Sequence, residues 1–301
     1  MIVEITAKDE TEQIRNLASR VAGLPALPMI ASRLLEAVDD PQTSAAEMAA
    51  LISSDPALAT RLLKLANSAF YGFPRRIGTV NLAVVVLGFE TVRDLCLSVL
   101  ITDCFFQSTE DIPFDMEDFW RHSLATAVGA RMVYRICDAK HAGEGFIAGL
   151  VHDLGKLFFG RYFPDDYREV INRFQDDGLA LLEAEKEVFS VTHPVAGAWL
   201  LEEWNLPVWL VNAVRNHHKS DGGEEKSRLA QAVCFSDILV RKANLGGGCS
   251  GVNVAVTPEL MDSLKLKKNV YCEPDYEDYI ENLQQELKLA EGFLETLKKA
   301  S

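Results

Sequence analysis

Ser53-Ser54-Asp55-Pro56-Ala57-Leu58-Ala59-Thr60-Arg61-Leu62-Leu63-Lys64-Leu65-Ala66-Asn67-Ser68-Ala69-Phe70-Tyr71-Gly72 is the stretch on which the fold reading turns. Asp55 fits a helix N-cap and Pro56 fits the first helical position, so one helix stops and another starts here. Leu58, Leu62, Leu65 and Ala69 then recur at intervals of four, three and four, the stripe of an amphipathic helix. Tyr71-Gly72-Phe73-Pro74 ends it.

The same period runs outward in both directions. Upstream, helices are expected over 12–22 and 28–38, the second stopped by Asp39-Asp40-Pro41. Thr43 or Ser44 can cap a third, with Glu47 as its capping-box partner. Downstream, helical patterns cover 81–87 (ending at Gly88), 90–101, 116–137, 144–159, 167–173, 179–189, a segment capped by Thr192, 207–216, 227–243, 258–264 and 276–300. Val84-Val85-Val86 has strand propensity but lies inside a helical pattern, which prevails. The expected class is all-α. Polar residues 108–111 and the break Gly246-Gly247-Gly248 suggest three parts: 1–110, 111–245, and 246–301 with a charged terminal helix.

Composition narrows the function. The 301 residues are 48% hydrophobic and 25% charged, as in ordinary globular proteins. Thirty basic against 44 acidic residues leave a net charge of −14. So acidic a body repels nucleic-acid phosphates and anionic lipid. No apolar run approaches the roughly 20 residues of a membrane span. Met1-Ile2-Val3-Glu4-Ile5 lacks a signal peptide's basic start. A cytoplasmic location is expected. No two of Cys96, Cys104, Cys137, Cys234, Cys249 and Cys272 form a CxxC, so free thiols are expected and cysteine-held zinc is not.

The chemistry concentrates in the histidines. All six, His122, His141, His152, His193, His217 and His218, lie in 122–218. His152-Asp153 sits among Phe146, Ile147, Leu150, Val151 and Leu154, where a buried carboxylate needs a counter-charge or a metal. Adjacent helical side chains point about 100° apart, so both reach one ion only near a bend or a concave surface. Asp118 precedes His122 by one helical turn. Asp237 is a lone carboxylate in apolar Val233 to Leu239. Imidazoles with bridging carboxylates suit iron, manganese or zinc. Asp153 could bridge two ions, which can activate a water and clamp a phosphate. His141 follows Lys140 in a polar turn and is left out.

The stretch opening at Ser53-Ser54-Asp55-Pro56, with Leu24-Pro25-Ala26-Leu27-Pro28 before it and 77–88 and Val92-Arg93 after it, resembles the HDOD family over roughly residues 15–220. The resemblance implies an HD-like helical bundle with an N-terminal HDOD helical subdomain. It also implies a bacterial signalling module that acts through protein partners. The related HD and HD-GYP phosphohydrolases imply His122, His152, Asp153 and Asp237 as basic metal ligands and His193, His217 and His218 as additional ones. On that resemblance two transition-metal ions are expected, iron first, with manganese or zinc as alternatives. Asp118 falls where three-metal variants carry an acidic ligand. Lys156 matches a lysine expected on a substrate phosphate, with Asp153 as the other catalytic candidate and Arg121 as a further phosphate contact. After His218 the chain reads Lys219-Ser220-Asp221-Gly222-Gly223-Glu224, without the Gly-Tyr-Pro loop of HD-GYP proteins.

Two functions therefore compete: a metal-binding regulatory protein, and a metal-dependent phosphodiesterase acting on a nucleotide, a cyclic dinucleotide or another phosphate-containing ligand. A helix-turn-helix over 43–65 is a third, opposed by the net charge.

Overall fold

The computed structural model describes residues 7–21, 23–106, 111–176, 179–223, 226–246 and 254–297. The Asp55-Pro56 restart forms as expected: the Asp55 carboxylate accepts from the amides of Ala57 and Leu58. The helix it opens ends earlier than its apolar stripe. It is α4, Pro56–Ala66, after α1 (Ala7–Ser19), α2 (Met29–Asp39) and α3 (Ala45–Ser53). Asn67 causes the stop. Its side chain donates to the Ile77 carbonyl and accepts from the Ile77 amide, both at 2.8 Å, tying the chain back on itself. Ala69 thus lies in the following turn. Ser44 forms the expected capping box with Glu47.

The described residues contain helices and no strand, only an isolated bridge between Lys268 and Pro274. α5 (Val80–Leu87) absorbs the three valines as helix, and α6 (Phe89–Phe106) continues one turn past the expected end. The expected link at 108–111 falls mostly outside the described residues, as do Gly247, Gly248 and Cys249. α7 (Met116–Cys137) has the expected bounds.

Two expected single helices are each split. Residues 144–159 become α8 (Ala142–Val151) and α9 (Leu154–Tyr162), broken at His152-Asp153. The terminal helix becomes α16 (Tyr276–Leu289) and α17 (Phe293–Leu297), broken where Gly292 takes φ 82°. Between them run α10 (Pro164–Gln175), α11 (Leu181–Phe189), α12 (His193–Glu203), α13 (Val208–Asn216), α14 (Arg228–Lys242) and α15 (Pro258–Ser263).

The helices share one buried apolar core that runs from Ile14 to Leu297. α8 packs on α7, and α14 packs on both. That packing is close enough to exclude side chains. A Cβ on Gly149 would stand 2.7 Å from Ala127 Cα and 2.7 Å from Thr126 O. A Cβ on Gly155 would collide with the backbone of His193. Glycine lets α8 meet α7 and α9 meet the start of α12 at backbone contact. No described helix is long and apolar enough to cross a membrane.

Candidate metal centre

The seven expected ligands come from five places in the fold. His122 lies in the second turn of α7, and His152 and Asp153 form the break between α8 and α9. His193 opens α12, His217 and His218 follow α13, and Asp237 lies in α14. The α8–α9 break supplies the bend that lets two adjacent side chains face one point. His122, His152, Asp153, His193, His217 and Asp237 are each 2% exposed or less.

Their ligand atoms converge in two groups, Asp153 with His193, His217 and His218, and His122 with His152 and Asp237. Asp153 joins them. Its Oδ1 stands 3.2 Å from His193 Nε2 and 3.7 Å from His217 Nε2. Its Oδ2 stands 3.3 Å from His152 Nε2 and 3.8 Å from His122 Nε2. Asp237 Oδ1 is 3.3 Å from His122 Nε2, and its Oδ2 is 3.8 Å from His218 Nδ1.

The tautomers follow from the far side of each ring. His152 Nδ1 is 2.8 Å from the Gly149 carbonyl and His217 Nδ1 is 2.6 Å from the Val214 carbonyl. His193 Nδ1 is 2.8 Å from Glu185 Oε2. A carbonyl or carboxylate only accepts, so the Nδ1 of each ring carries a proton, and in its neutral form each ring turns an Nε2 lone pair inward. His193 Nε2 then faces His217 Nε2 at 3.4 Å and His218 Nε2 at 3.1 Å. His122 Nδ1 and Nε2, His152 Nε2, Asp153 Oδ1, His218 Nδ1 and Asp237 Oδ1 are buried without a hydrogen-bond partner among the described residues. Unpartnered buried polar atoms in such numbers are costly, and a cation would satisfy the acceptors among them. The donor set fits one or two transition-metal ions.

The charge balance agrees. Burial raises the Asp153 carboxyl, but His152 and Lys156 outweigh it and hold the group well below its usual range. Asp237 is likewise held low against burial by His122 and Arg241. Burial lowers His193 but Glu185 outweighs it and raises the ring, whereas burial lowers His217 to about 4, with His152 and His193 adding to the effect, and holds His218 well below its usual value. Imidazoles that resist protonation keep their lone pairs for a metal at neutral pH.

The remaining expected residues divide. Lys156 is buried, with Nζ 2.7 Å from Asp153 Oδ2, so its ammonium faces the Asp153 carboxylate. Asp118 belongs to neither group and stands 3.5 Å from Arg121 at the rim. Arg121 points outward, toward Glu117 and Asp118. His141 pairs with Asp138 away from the site. Two residues escaped the sequence reading. Arg241 holds Asp237 Oδ2 at 2.9 Å. Fully buried Glu185 takes both the His193 ring and its amide, the amide at 2.8 Å. Thr192 makes no side-chain cap, so Glu185 caps α12 in its stead. Glu185 sits in a charged stretch with Glu183, Lys186 and Glu187, and nothing local marks it as the buried member. Arg241, four residues after Asp237, was open to inference from i,i+4 spacing.

Comparison with known proteins agrees with this architecture. An uncharacterized protein of Treponema pallidum (strain Nichols) is 28% identical over 233 residues. That match covers 77% of this chain and 45% of the relative, so the chain spans about half the relative's length. The solved structure of an HDOD domain protein from Geobacter sulfurreducens superposes with a TM-score of 0.75 at 23% identity, covering 97% of each chain. That of a candidate phosphohydrolase from Shewanella amazonensis gives 0.73 at 21% identity, covering 95% of this chain and 98% of the other. The HDOD domain profile matches residues 24–220, which carry the Asp55-Pro56 stretch and six of the seven clustered ligands. The chain belongs to the HDOD family.

Proposed function

We propose that this chain is a metal-binding regulatory protein whose centre holds two transition-metal ions, iron foremost, with manganese or zinc as alternatives. The inward-turned Nε2 lone pairs of His152, His193 and His217 around Asp153 carry this reading. Asp153 would bridge, Oδ1 serving the His193 group and Oδ2 the His122 group. Ions there tie α7, the α8–α9 break, α12, α14 and the end of α13 together, so occupancy sets the relative placement of five elements. Signalling then proceeds by contact with a protein partner in the cytoplasm, the HDOD part (residues 1–110) beside the HD-like part (111–245).

Phosphohydrolase activity is the second reading, favoured by the buried Lys156 ammonium beside Asp153 and by Arg241 beside Asp237. Bound ions would supply an activated water and charge compensation for a phosphate. Lys156 would exchange its bond to Asp153 for one to the substrate, and Arg241 would keep Asp237 ionised. Against this, the ligand side chains are almost inaccessible, and Lys219 to Gly223 form a tight turn in place of a Gly-Tyr-Pro loop. Metal analysis of untagged protein purified without chelator, with turnover of bis(p-nitrophenyl) phosphate on the same sample, decides. Metal without turnover is the expected result. Turnover that disappears in Lys156→Ala overturns it in favour of the hydrolase. Absence of metal after reconstitution overturns both.

A further inference from the structure

The geometry points to Glu185, steadied by Tyr167, as a positioning residue that orients His193 toward one ion and leaves the other ligand group untouched. This rests on the metal reading above. Glu185 lies on α11, and among the described residues no lysine or arginine comes within ion-pair distance of it. A carboxylate this deeply buried is costly unless a cation or several donors face it. Capping α12 would need only the bond from the His193 amide to Oε2. Glu185 does more. Its Oε1 and Oε2 lie 2.9 and 2.8 Å from His193 Nδ1. The Tyr167 hydroxyl donates to Oε1 at 3.3 Å from α10, fixing the carboxylate from behind.

A carboxylate on Nδ1 locks the proton there, sets the ring plane and makes Nε2 a stronger ligand. His152 and His217 receive the weaker form of this support, a backbone carbonyl. Among the three, only His193 has a charged backer, and His193 belongs to the Asp153–His217–His218 group. The effect of Glu185 is therefore selective for one of the two ligand groups.

Cobalt(II) is the probe. The metal-free 301-residue chain, Glu185→Gln and Tyr167→Phe are titrated against a chelator, with the visible cobalt spectrum recorded. Glu185→Gln is expected to weaken one cobalt by roughly 10- to 100-fold, leave the second unchanged and alter one of two spectral components. Tyr167→Phe is expected to shift the same component by less. A lower melting temperature of metal-free Glu185→Gln with both cobalt affinities unchanged reduces Glu185 to a helix cap and overturns the assignment. If Glu185→Gln does not fold, Tyr167→Phe decides: selective weakening supports the assignment and unchanged binding overturns it. Wild-type protein that takes up no cobalt overturns the metal reading itself.

Discussion

At the scale of single residues, two carboxylates show how position sets charge. Asp153 is surrounded by histidines and a lysine and stays ionised despite burial. Because its two oxygens face different ligand groups, Asp153→Ala is expected to abolish both ions together, read by metal analysis after reconstitution. Full retained occupancy would show that the bridge is not needed. Glu144 has the opposite environment. Burial and then Asp94 push it up to about 7, and burial raises Asp94 to about 6, Arg93 offsetting only part of each. These folded-state values exceed the unfolded ones, so the folded chain binds the extra protons. The contribution is full below about pH 4 and is lost as pH rises through 6 and 7. Glu144→Gln should therefore gain melting temperature relative to wild type between pH 5 and pH 8. A difference that does not vary with pH would remove Glu144 from the titration.

At the scale of elements, the close passage of α8 along α7 determines where His152 sits relative to His122, with ring centroids 5.3 Å apart. Gly149 faces the α7 backbone with no space for a methyl group. Gly149→Ala is expected to cost about 1–3 kcal/mol in urea unfolding, the usual range for overpacking. It should also weaken metal binding, because the shift of α8 carries His152 with it. Unchanged stability and affinity would mean that the interface yields elsewhere. The α8–α9 break belongs to the same scale. Continuous periodicity over 144–159 reads as one helix, because a helix–helix crossing leaves no mark in apolar spacing. What could be read was that His152 and Asp153 needed a bend if they were to act together.

At the scale of the whole molecule, the C-terminal residues beyond the matched 24–220 complete the core. Phe293 of α17 lies 5.3 Å from Phe70 and 5.5 Å from Phe146, centroid to centroid. Arg61, within the Asp55–Gly72 stretch, donates to the carbonyls of Thr296 and Leu297 at the end of the same helix. Phe146 is on α8, so α17 rests on the helix that leads to His152. Phe293→Ala is expected to destabilise the protein by about 3–5 kcal/mol, the range for an aromatic removed from a core. A loss below about 1 kcal/mol would show that α17 is a loosely attached appendage.

Sequence alone determined the helical class, most helix boundaries, the cap at Asp55, the choice of Thr43 or Ser44 for the preceding cap, and which histidines and carboxylates could converge. Each of these depends on local preference: period, capping chemistry, or residue type. The family could be read for the same reason, since its signature is a contiguous run. Only tertiary structure decided that the histidines form two groups joined through the two oxygens of Asp153. The same is true of Lys156 facing that carboxylate, Asp118 and Arg121 lying outside, and Glu185 standing behind His193. Those facts depend on which helices cross and how closely, and positions far apart in the chain carry no periodicity that reports it.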